Sequence, residues 1–337
     1  MTAFLIRRLL AMVPVLALVL VIVFSLVRLI PGDPAVTLLG PGATQQQISA
    51  LRLQLDLDKS LPLQFVSYLG GLAQGDLGQS LKSGLPVARE LLSRLPATLE
   101  LAFVALIGAI LVGIPLGVVS ATRPNSALDH ALRVGSLVGV SVPAFLLALI
   151  LQLVFSVWLG WLPVSGRASP FATGAGATGF ALLDSLLAGN PRAFLDGLAH
   201  VILPATVLAA FLAATLGRFV RNALMETLGE DFIRTARAKG LTRAEVVYGH
   251  GLRNALLPAI TVVGLKFAEM LGGAVLTETI FAWPGIGRYM FEAIRNRDYP
   301  VIQGTTLLFA LIFVASSIVV DILHALLDPR IRRKVAS

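Results

Sequence analysis

The sequence predicts an all-α polytopic membrane protein. Of the 337 residues, 56% are hydrophobic and only 14% are charged, and the mean hydropathy is +0.84. A soluble globular protein carries more charge than this to cover its surface. Several apolar runs are long enough, at a rise of about 1.5 Å per residue, to cross a hydrocarbon core of about 30 Å as a helix. We therefore expect six transmembrane helices, with a small helical segment on the outer side after the first.

The first predicted span lies within residues 1–30. Its basic flank imitates a secretory signal, but the apolar run is longer than a signal-peptide core, and no small-residue cleavage site follows it. We therefore expect an uncleaved membrane helix. The core of the protein is predicted at residues 99–328. Its five spans are expected at about 99–120, 134–161, 201–217, 255–281 and 301–327.

The distribution of positive charge predicts the orientation in the membrane. Most lysines and arginines outside the spans fall on one side, which includes the N-terminal flank, the loop at 218–254 and the tail at 329–337. Basic loops stay in the cytoplasm, so both termini are expected there. The segment at 31–98 would then lie outside. Its apolar spacing predicts short helices, which either cap their own bundle or contact an outer partner.

The composition excludes several functions. The net charge is +8, but there is no basic stripe with interleaved aromatic residues, so no nucleic-acid partner is expected. The chain has no cysteine and no H-E-x-x-H motif, and its serines in the spans lack a His–acid pair, so neither a metal site nor an enzyme is predicted. A P-loop needs a Gly-Lys dipeptide, which the sequence lacks, so any ATP must bind to another chain.

A polar stretch, "DFIRTARAKGLTRAEVVYGH", interrupts the apolar pattern at residues 231–250. Asp231 suits the first turn of a helix, and basic residues follow toward its end. Gly240 stands where a helix ends with a residue of positive φ. The Thr242-to-Glu245 spacing is a capping box that opens a second helix. The stretch therefore predicts a helix, a glycine stop and another helix on the inner side.

The first of these helices needs a surface to pack on, because so short a helix is marginal in water. Phe232, Ile233 and Ala236 are expected to share a small apolar face beside a basic one. That face could fold back on the protein's own bundle, the basic residues could lie near lipid headgroups, or the helix could dock into a soluble partner. The residues alone leave these alternatives open.

The longer unit "TARAKGLTRAEVVYGHGLRNALLPAITVVG" resembles the cytoplasmic loop of ABC-transporter permease subunits, which is built on Glu-Ala-Ala, three residues and Gly. Thr235, Ala236 and Arg237 occupy the first positions here, followed by Gly240, a variant similar to the branch that imports peptides and nickel. The segment after the first span resembles the B-type subunit of the dipeptide/oligopeptide permease pair. Further matching motifs follow in order along nearly the whole chain: "FLIRRLLAMVPVL", "PGDPA", "GDLGQSL", "RLPATLELA", "SVPAFLLALIL", "LPVSG", "ETIFAWPGIGRYMFEAI" and "DPRIR".

The resemblance implies a type I ABC importer permease fold in a bacterial inner membrane. It implies a heterodimer with a C-type permease, one or two cytoplasmic ATPase subunits that hold ATP and Mg²⁺, and an extracytoplasmic binding protein. The transported solute would be a dipeptide, an oligopeptide, a glutathione-like peptide or a nickel complex. Carried onto this sequence, the residues that contact the ATPase would be Asp231, Phe232, Arg234, Thr235, Ala236, Arg237 and Gly240.

Charged residues within the predicted spans are candidates for the translocation path. Lys266 and Glu269 share a helical face and could meet the ends of a zwitterionic peptide, or form a structural pair. Glu278 could be a gate residue or an acid at the membrane interface, and we favour the interface. For Asp321 and His324, which also share a face, we favour a capped or subunit-facing pair over a metal site. The rival function is a stand-alone, ion-coupled secondary transporter that uses Lys266, Glu269 and Asp321.

Overall fold

The secondary structure of the described residues is helical, apart from one isolated antiparallel bridge between Gln79 and Pro86. The predicted tail at 329–337 lies outside the part of the chain that the structure describes. This computed structural model describes residues 2–29, 35–36, 42–54, 57–169, 176 and 178–327.

We number the helices α1 to α12 in chain order. They are α1 (Thr2–Leu29), α2 (Gln45–Gln54), α3 (Leu61–Ala73), α4 (Val87–Thr122), α5 (Ala127–Ser141), α6 (Ala144–Leu151), α7 (Ala181–Leu187), α8 (Pro191–Gly229), α9 (Asp231–Ala238), α10 (Arg253–Ile280), α11 (Ile286–Asn296) and α12 (Tyr299–Leu327). Two π-helical segments join this series, one at Gln152–Trp158 after α6 and one at Glu245–Leu252 before α10.

The centre of the fold is the close pair formed by α4 and α8. A Cβ atom at Gly113 would lie 2.9 Å from the Ala213 carbonyl oxygen, and one at Gly117 would lie 2.7 Å from that of Gly217. Small residues at such a crossing let two membrane helices approach closely. The buried residues along this contact include Ala97, Leu101, Ala105 and Ala109 of α4 and Val201, Ala205, Leu208 and Leu212 of α8.

Among the described residues, α4, α8 and the Tyr299–Leu323 part of α12 are each long and apolar enough to cross a membrane. A fourth crossing is possible if Glu245–Leu256 and Pro258–Gly272, which are bent by 52° at Pro258, count as one span. The apolar stretches Leu10–Ser25 and Ala144–Trp158 are shorter. By length and apolar composition together, three or four helices of the described chain can cross a membrane, where hydropathy alone predicts six.

Two of the helices are longer than the spans predicted for them. The helix predicted at 99–120 begins at Val87, and the one predicted at 201–217 runs from Pro191 to Gly229. Hydropathy marks the apolar part of a helix, while its polar turns continue beyond that part. The predicted span at 134–161 is divided near Pro143, which ends α5 and starts α6, because proline cannot donate a helical hydrogen bond.

The predicted outer segment at 31–98 contains the short helices α2 and α3, and from Val87 it is already part of α4. Helix α3 packs on the end of α1. The Phe24 and Phe65 rings meet edge to face at 5.0 Å, and the Arg28 Nε donates a hydrogen bond of 2.7 Å to Gln64. In its described part the segment is thus attached to its own chain, in agreement with one of the two alternatives.

Candidate functional site

The polar stretch forms the predicted helix, glycine stop and second helix; we call residues 231–252 the inner unit, after its expected side of the membrane. Gly240 follows α9 with a φ of +79°. Its N–H donates to the Arg237 carbonyl at 3.0 Å, and the Leu241 N–H donates to that of Ala236 at 3.4 Å. The left-handed residue and these two bonds satisfy carbonyl groups at the end of α9, so the predicted glycine stop is confirmed.

The predicted capping box is also present. The Glu245 carboxylate accepts hydrogen bonds from the Thr242 N–H at 2.8 Å and from the Thr242 hydroxyl at 2.7 Å. In return the Glu245 N–H donates to the Thr242 Oγ1 at 3.3 Å. The helix that follows differs from the prediction, because Glu245–Leu252 adopts π-helical geometry before α10 begins. Short π-helical turns are frequent at functional sites.

Helix α9 has one buried and one exposed face. Ile233 and Ala236 are buried against Leu228, Leu241 and Val246, all from the same chain. Phe232, which the sequence places with them, is 43% exposed. It lies about 40° from Ala236 around the helix, on the side away from Ile233, and so falls at the edge of the buried stripe.

The exposed face is therefore polar, with one aromatic ring at its border. Among the expected contact residues, Ala236 is buried and the others are on the surface. The exposed ones are Asp231, Phe232, Arg234, Thr235, Arg237 and Gly240.

The inner unit is attached to the ends of the central helices. The Arg243 Nη2 donates a 2.7 Å hydrogen bond to the carbonyl of Thr122, the last residue of α4. Such a carbonyl has no partner within its own helix, so an arginine is a suitable cap. Glu230 alone separates the start of α9 from the end of α8. A displacement of the inner unit would therefore act on both α4 and α8.

A buried carboxylate, not identified from the sequence, joins α4, α5 and α8 near the inner unit. Asp129 is fully buried and accepts hydrogen bonds from the Arg221 Nε at 2.7 Å and Nη2 at 3.0 Å. The Ser120 hydroxyl and the Asn125 N–H donate to it as well. Asp129 therefore ties these three helices together by hydrogen bonds.

The opposite end of the bundle contains a second buried carboxylate, Glu278. The Thr98 hydroxyl donates to its Oε1 at 2.7 Å, and the Arg288 N–H donates to its Oε2 at 3.0 Å. The Ile286 N–H donates in turn to the Thr98 Oγ1 at 2.8 Å. Glu278 thus accepts the Arg288 amide from the first turn of α11 and is linked to the Ile286 amide through Thr98, and its full burial overturns the favoured interpretation as an acid at the membrane interface.

Two glycines of the "WPGIG" motif permit this contact. We call residues 281–287, which comprise the link between α10 and α11 and the first two residues of α11, the outer connection, after its expected side of the membrane. A Cβ at Gly285 would lie 2.2 Å from the Glu278 Oε1, and one at Gly287 would lie 2.7 Å from the Val275 Cα. The buried Trp283 adds a 2.8 Å hydrogen bond from its Nε1 to the Ala97 carbonyl. The outer connection is therefore clamped to α4.

A buried ion pair fastens the neighbouring loop, which contains Arg167, to α4. The Arg167 Nε and Nη2 donate to one Glu100 carboxylate oxygen at 2.8 and 2.6 Å, and the Leu182 N–H donates to the other at 2.7 Å. The Arg167 side chain is 18% exposed and that of Glu100 is 5% exposed. Sequence spacing gave no signal for this pair, because its partners come from distant segments.

The charged residues predicted within the later spans are distributed differently. Lys266 and Glu269 contact each other on α10, with side chains 38% and 60% exposed. They face outward from the bundle and are accessible to a solute or a second subunit. Asp321 is half-buried on α12, whereas the side chain of His324 lies outside the described residues.

Long apolar helices that carry an anchored polar helix beyond their ends are typical of an integral membrane protein. A family model for the "binding-protein-dependent transport system inner membrane component" matches residues 113–333, and one for its N-terminal part matches residues 1–102. These matches cover almost the whole chain, so the chain belongs to this family. Its fold is similar to that of an inward-facing MetNI methionine ABC transporter, with a TM-score of 0.52 and 18% identity over 69% of this chain and 93% of the other.

Curated relatives narrow the class to the permeases of ABC importers. The chain is 47% identical to a di/tripeptide transport system permease, DppB, of Pseudomonas aeruginosa, over 99% of this chain and 100% of the relative. It is 45% identical to a dipeptide transport permease of Alkalihalophilus pseudofirmus, over 98% and 100%. It is 40% identical to a glutathione transport permease, GsiC, of Salmonella choleraesuis, over 99% and 100%. The chain is thus a membrane permease of this importer family.

Proposed function

We propose that this chain is the B-type permease subunit of an ATP-driven importer of dipeptides and related short peptides. Its full-length identity of 47% to a di/tripeptide permease is the observation that carries the substrate class. In this proposal the chain crosses a bacterial inner membrane six times, through α1, α4, α5 with α6, α8, α10 and α12. Both termini are cytoplasmic, and a C-type permease completes the translocation path.

The exposed face of α9, at the start of the inner unit, is the proposed contact with a cytoplasmic ATPase, which holds ATP and Mg²⁺ on its own chain. Asp231, Phe232, Arg234, Thr235 and Arg237 offer the ATPase an exposed face with charge and one aromatic anchor. Ala236 and Gly240 shape the helix from within, by packing and by ending it. Because α9 is joined to α8 and the inner unit is tied to α4 through Arg243, movement of the ATPase would tilt the central helix pair.

The outer side is the proposed docking place of an extracytoplasmic binding protein. Lys266 and Glu269 present opposite charges on α10, which suits the carboxylate and ammonium of a peptide in the path between two permeases. Glu278 contributes at the outer end of the path by holding the outer connection in place, since its oxygens are engaged by Thr98 and Arg288.

The test is copurification and ATP-driven peptide uptake with two aromatic variants of the inner unit. Phe232→Ala removes the exposed ring of α9, whereas the control Tyr248→Ala removes a ring that is 61% exposed on the π-helical segment. We expect Phe232→Ala to lose ATPase copurification and uptake, and Tyr248→Ala to retain both. Uptake that survives ATP depletion but stops when the ion gradient collapses would instead support the ion-coupled transporter.

A further inference from the structure

A groove of about 350 Å³ lies along the flank of the bundle between α4, α5 and α8. One half is lined by apolar and small side chains, including Val112 and Leu116 of α4, which are 51% and 40% exposed. The other half ends at three arginines, Arg133, Arg218 and Arg221. The groove thus combines an apolar trough with a basic end.

The trough is open because its wall on α5 contains glycines. A Cβ atom added at Gly135 or Gly139 would have no other heavy atom of the described chain within 4 Å. The floor, in contrast, is closed by the tight contact between Gly117 and Gly217 of the central pair. A narrow apolar chain can therefore lie over α5 without displacing the helices.

The basic end carries more positive charge than the chain itself neutralises. Asp129 is the carboxylate at this end, and it accepts two hydrogen bonds from Arg221 and lies 3.2 Å from the Arg133 Nη2. The Arg133 Nε is buried and has no hydrogen-bond partner among the described residues. Within the same part of the chain, Arg218 has no ion pair. A buried donor without a partner is costly, so this end favours an anion.

We propose that the groove binds an anionic phospholipid, with an acyl chain in the apolar half and the phosphate at Arg133 and Arg218. Basic pockets between membrane helices bind acidic headgroups in this way. A peptide fits less well, because it would need backbone partners in the apolar half. The hydroxyls of Ser120 and Ser136 both donate within the chain, to Asp129 and to the Arg133 carbonyl.

The experiment is native mass spectrometry of the full chain, purified with its co-purifying subunits and titrated with dioleoyl phosphatidylglycerol or dioleoyl phosphatidylcholine. We expect preference for phosphatidylglycerol. Arg218→Gln should weaken its binding about fivefold, the effect of one cation near an anionic lipid. Gly139→Leu should abolish it by filling the trough. The controls, Arg192→Gln at the far end of α8 and Gly70→Leu on α3, change the same residue types elsewhere and should bind normally.

Several results would overturn the proposal. Equal binding of the two lipids, or unchanged binding in Arg218→Gln, would show that the arginines do not bind an anionic headgroup. Displacement of phosphatidylglycerol by inorganic phosphate or by a dipeptide would identify a small-anion or peptide site. Loss of the second permease from Gly139→Leu complexes would make the groove a subunit interface. None of these results depends on which solute is transported.

Discussion

The inner unit and the outer end of the bundle differ in how their charged residues are held. At the outer end Glu100 and Glu278 are buried, and each receives hydrogen bonds from groups of the same chain. In the inner unit the ion pair of Asp231 and Arg234 spans 3.5 Å with side chains 95% and 79% exposed. These buried carboxylates of the outer end have their hydrogen-bond partners within the chain. The charged residues of α9, in contrast, are accessible to another molecule.

Exposure of the inner unit does not imply that it is loosely attached. The inner unit is not loosely held, since Ile233 and Ala236 are buried and Arg243 caps α4. Only its outward face is free of intramolecular packing. Such a surface can receive force from a partner, while the clamped outer connection can move only together with α4. Substitutions that break the contacts of one region and leave the other intact test that difference.

The largest effect should come from breaking the buried ion pair of the outer end. Arg167→Gln leaves the Glu100 carboxylate without its cation, which costs about 3–5 kcal/mol when such a pair is buried. Arg234→Gln makes the same change in the exposed pair of α9 and should hardly alter stability, since exposed pairs contribute little. Thermal unfolding in detergent compares the two. Equal losses would show that the two ends are held alike.

A second effect concerns the carboxylate that holds the outer connection. Glu278→Ala leaves the Thr98 hydroxyl and the Arg288 N–H without their acceptor, at an expected cost of about 2–3 kcal/mol. Glu269→Ala is the matched control, because the same residue type on the same helix is 60% exposed there. The free energy of unfolding in urea measures both variants. A similar small loss in both would contradict the clamp.

The sequence predicts the inner unit better than the contacts that clamp the outer connection. The reason is how far apart in the chain the contacting residues lie. Caps and glycine stops depend on residues three or four positions apart, so Gly240 and the Thr242–Glu245 box are readable from local rules. The clamp joins Thr98 and Glu278, which are 180 residues apart. No residue pattern announces such a contact, and a buried acid looks the same in the sequence as an acid at the membrane interface.

The same dependence on local pattern determines which features of the fold the sequence predicts. Hydropathy identifies the all-helical membrane class, and it places the apolar centres of α4 and α8. It does not show that both helices extend beyond these centres, nor that Glu245–Leu252 adopts a π-helical form. It also does not predict the contact of Asp129 with Arg221, 92 residues away, which joins α5 to α8 beside the inner unit.

A smaller effect on stability, but a clear one on transport, is expected at the glycine stop. Gly240→Ala forces an L-residue into a φ of +79°, a local cost of about 1–2 kcal/mol. Gly249→Ala is the control, because that glycine has no positive φ and a Cβ there meets no atom within 4 Å. We expect reduced hydrogen-exchange protection of α9 and reduced ATP-driven uptake in Gly240→Ala alone. Equal behaviour of the two variants would remove the angle of α9 from the coupling mechanism.

The smallest effect on stability, and the sharpest test of the path, is a charge swap on α10. Lys266→Glu should change the free energy of unfolding by less than about 1 kcal/mol, because the pair with Glu269 is partly exposed. It should lower peptide uptake about tenfold if the ammonium meets a peptide carboxylate. The double variant Lys266→Glu/Glu269→Lys restores the ion pair with reversed polarity. A structural pair would be rescued by this reversal, whereas a pair that orients a zwitterionic peptide would not, because each end of the solute would meet a like charge. Failure of the swap to restore uptake, with normal subunit assembly, would therefore place the pair in the path; full rescue would make it structural.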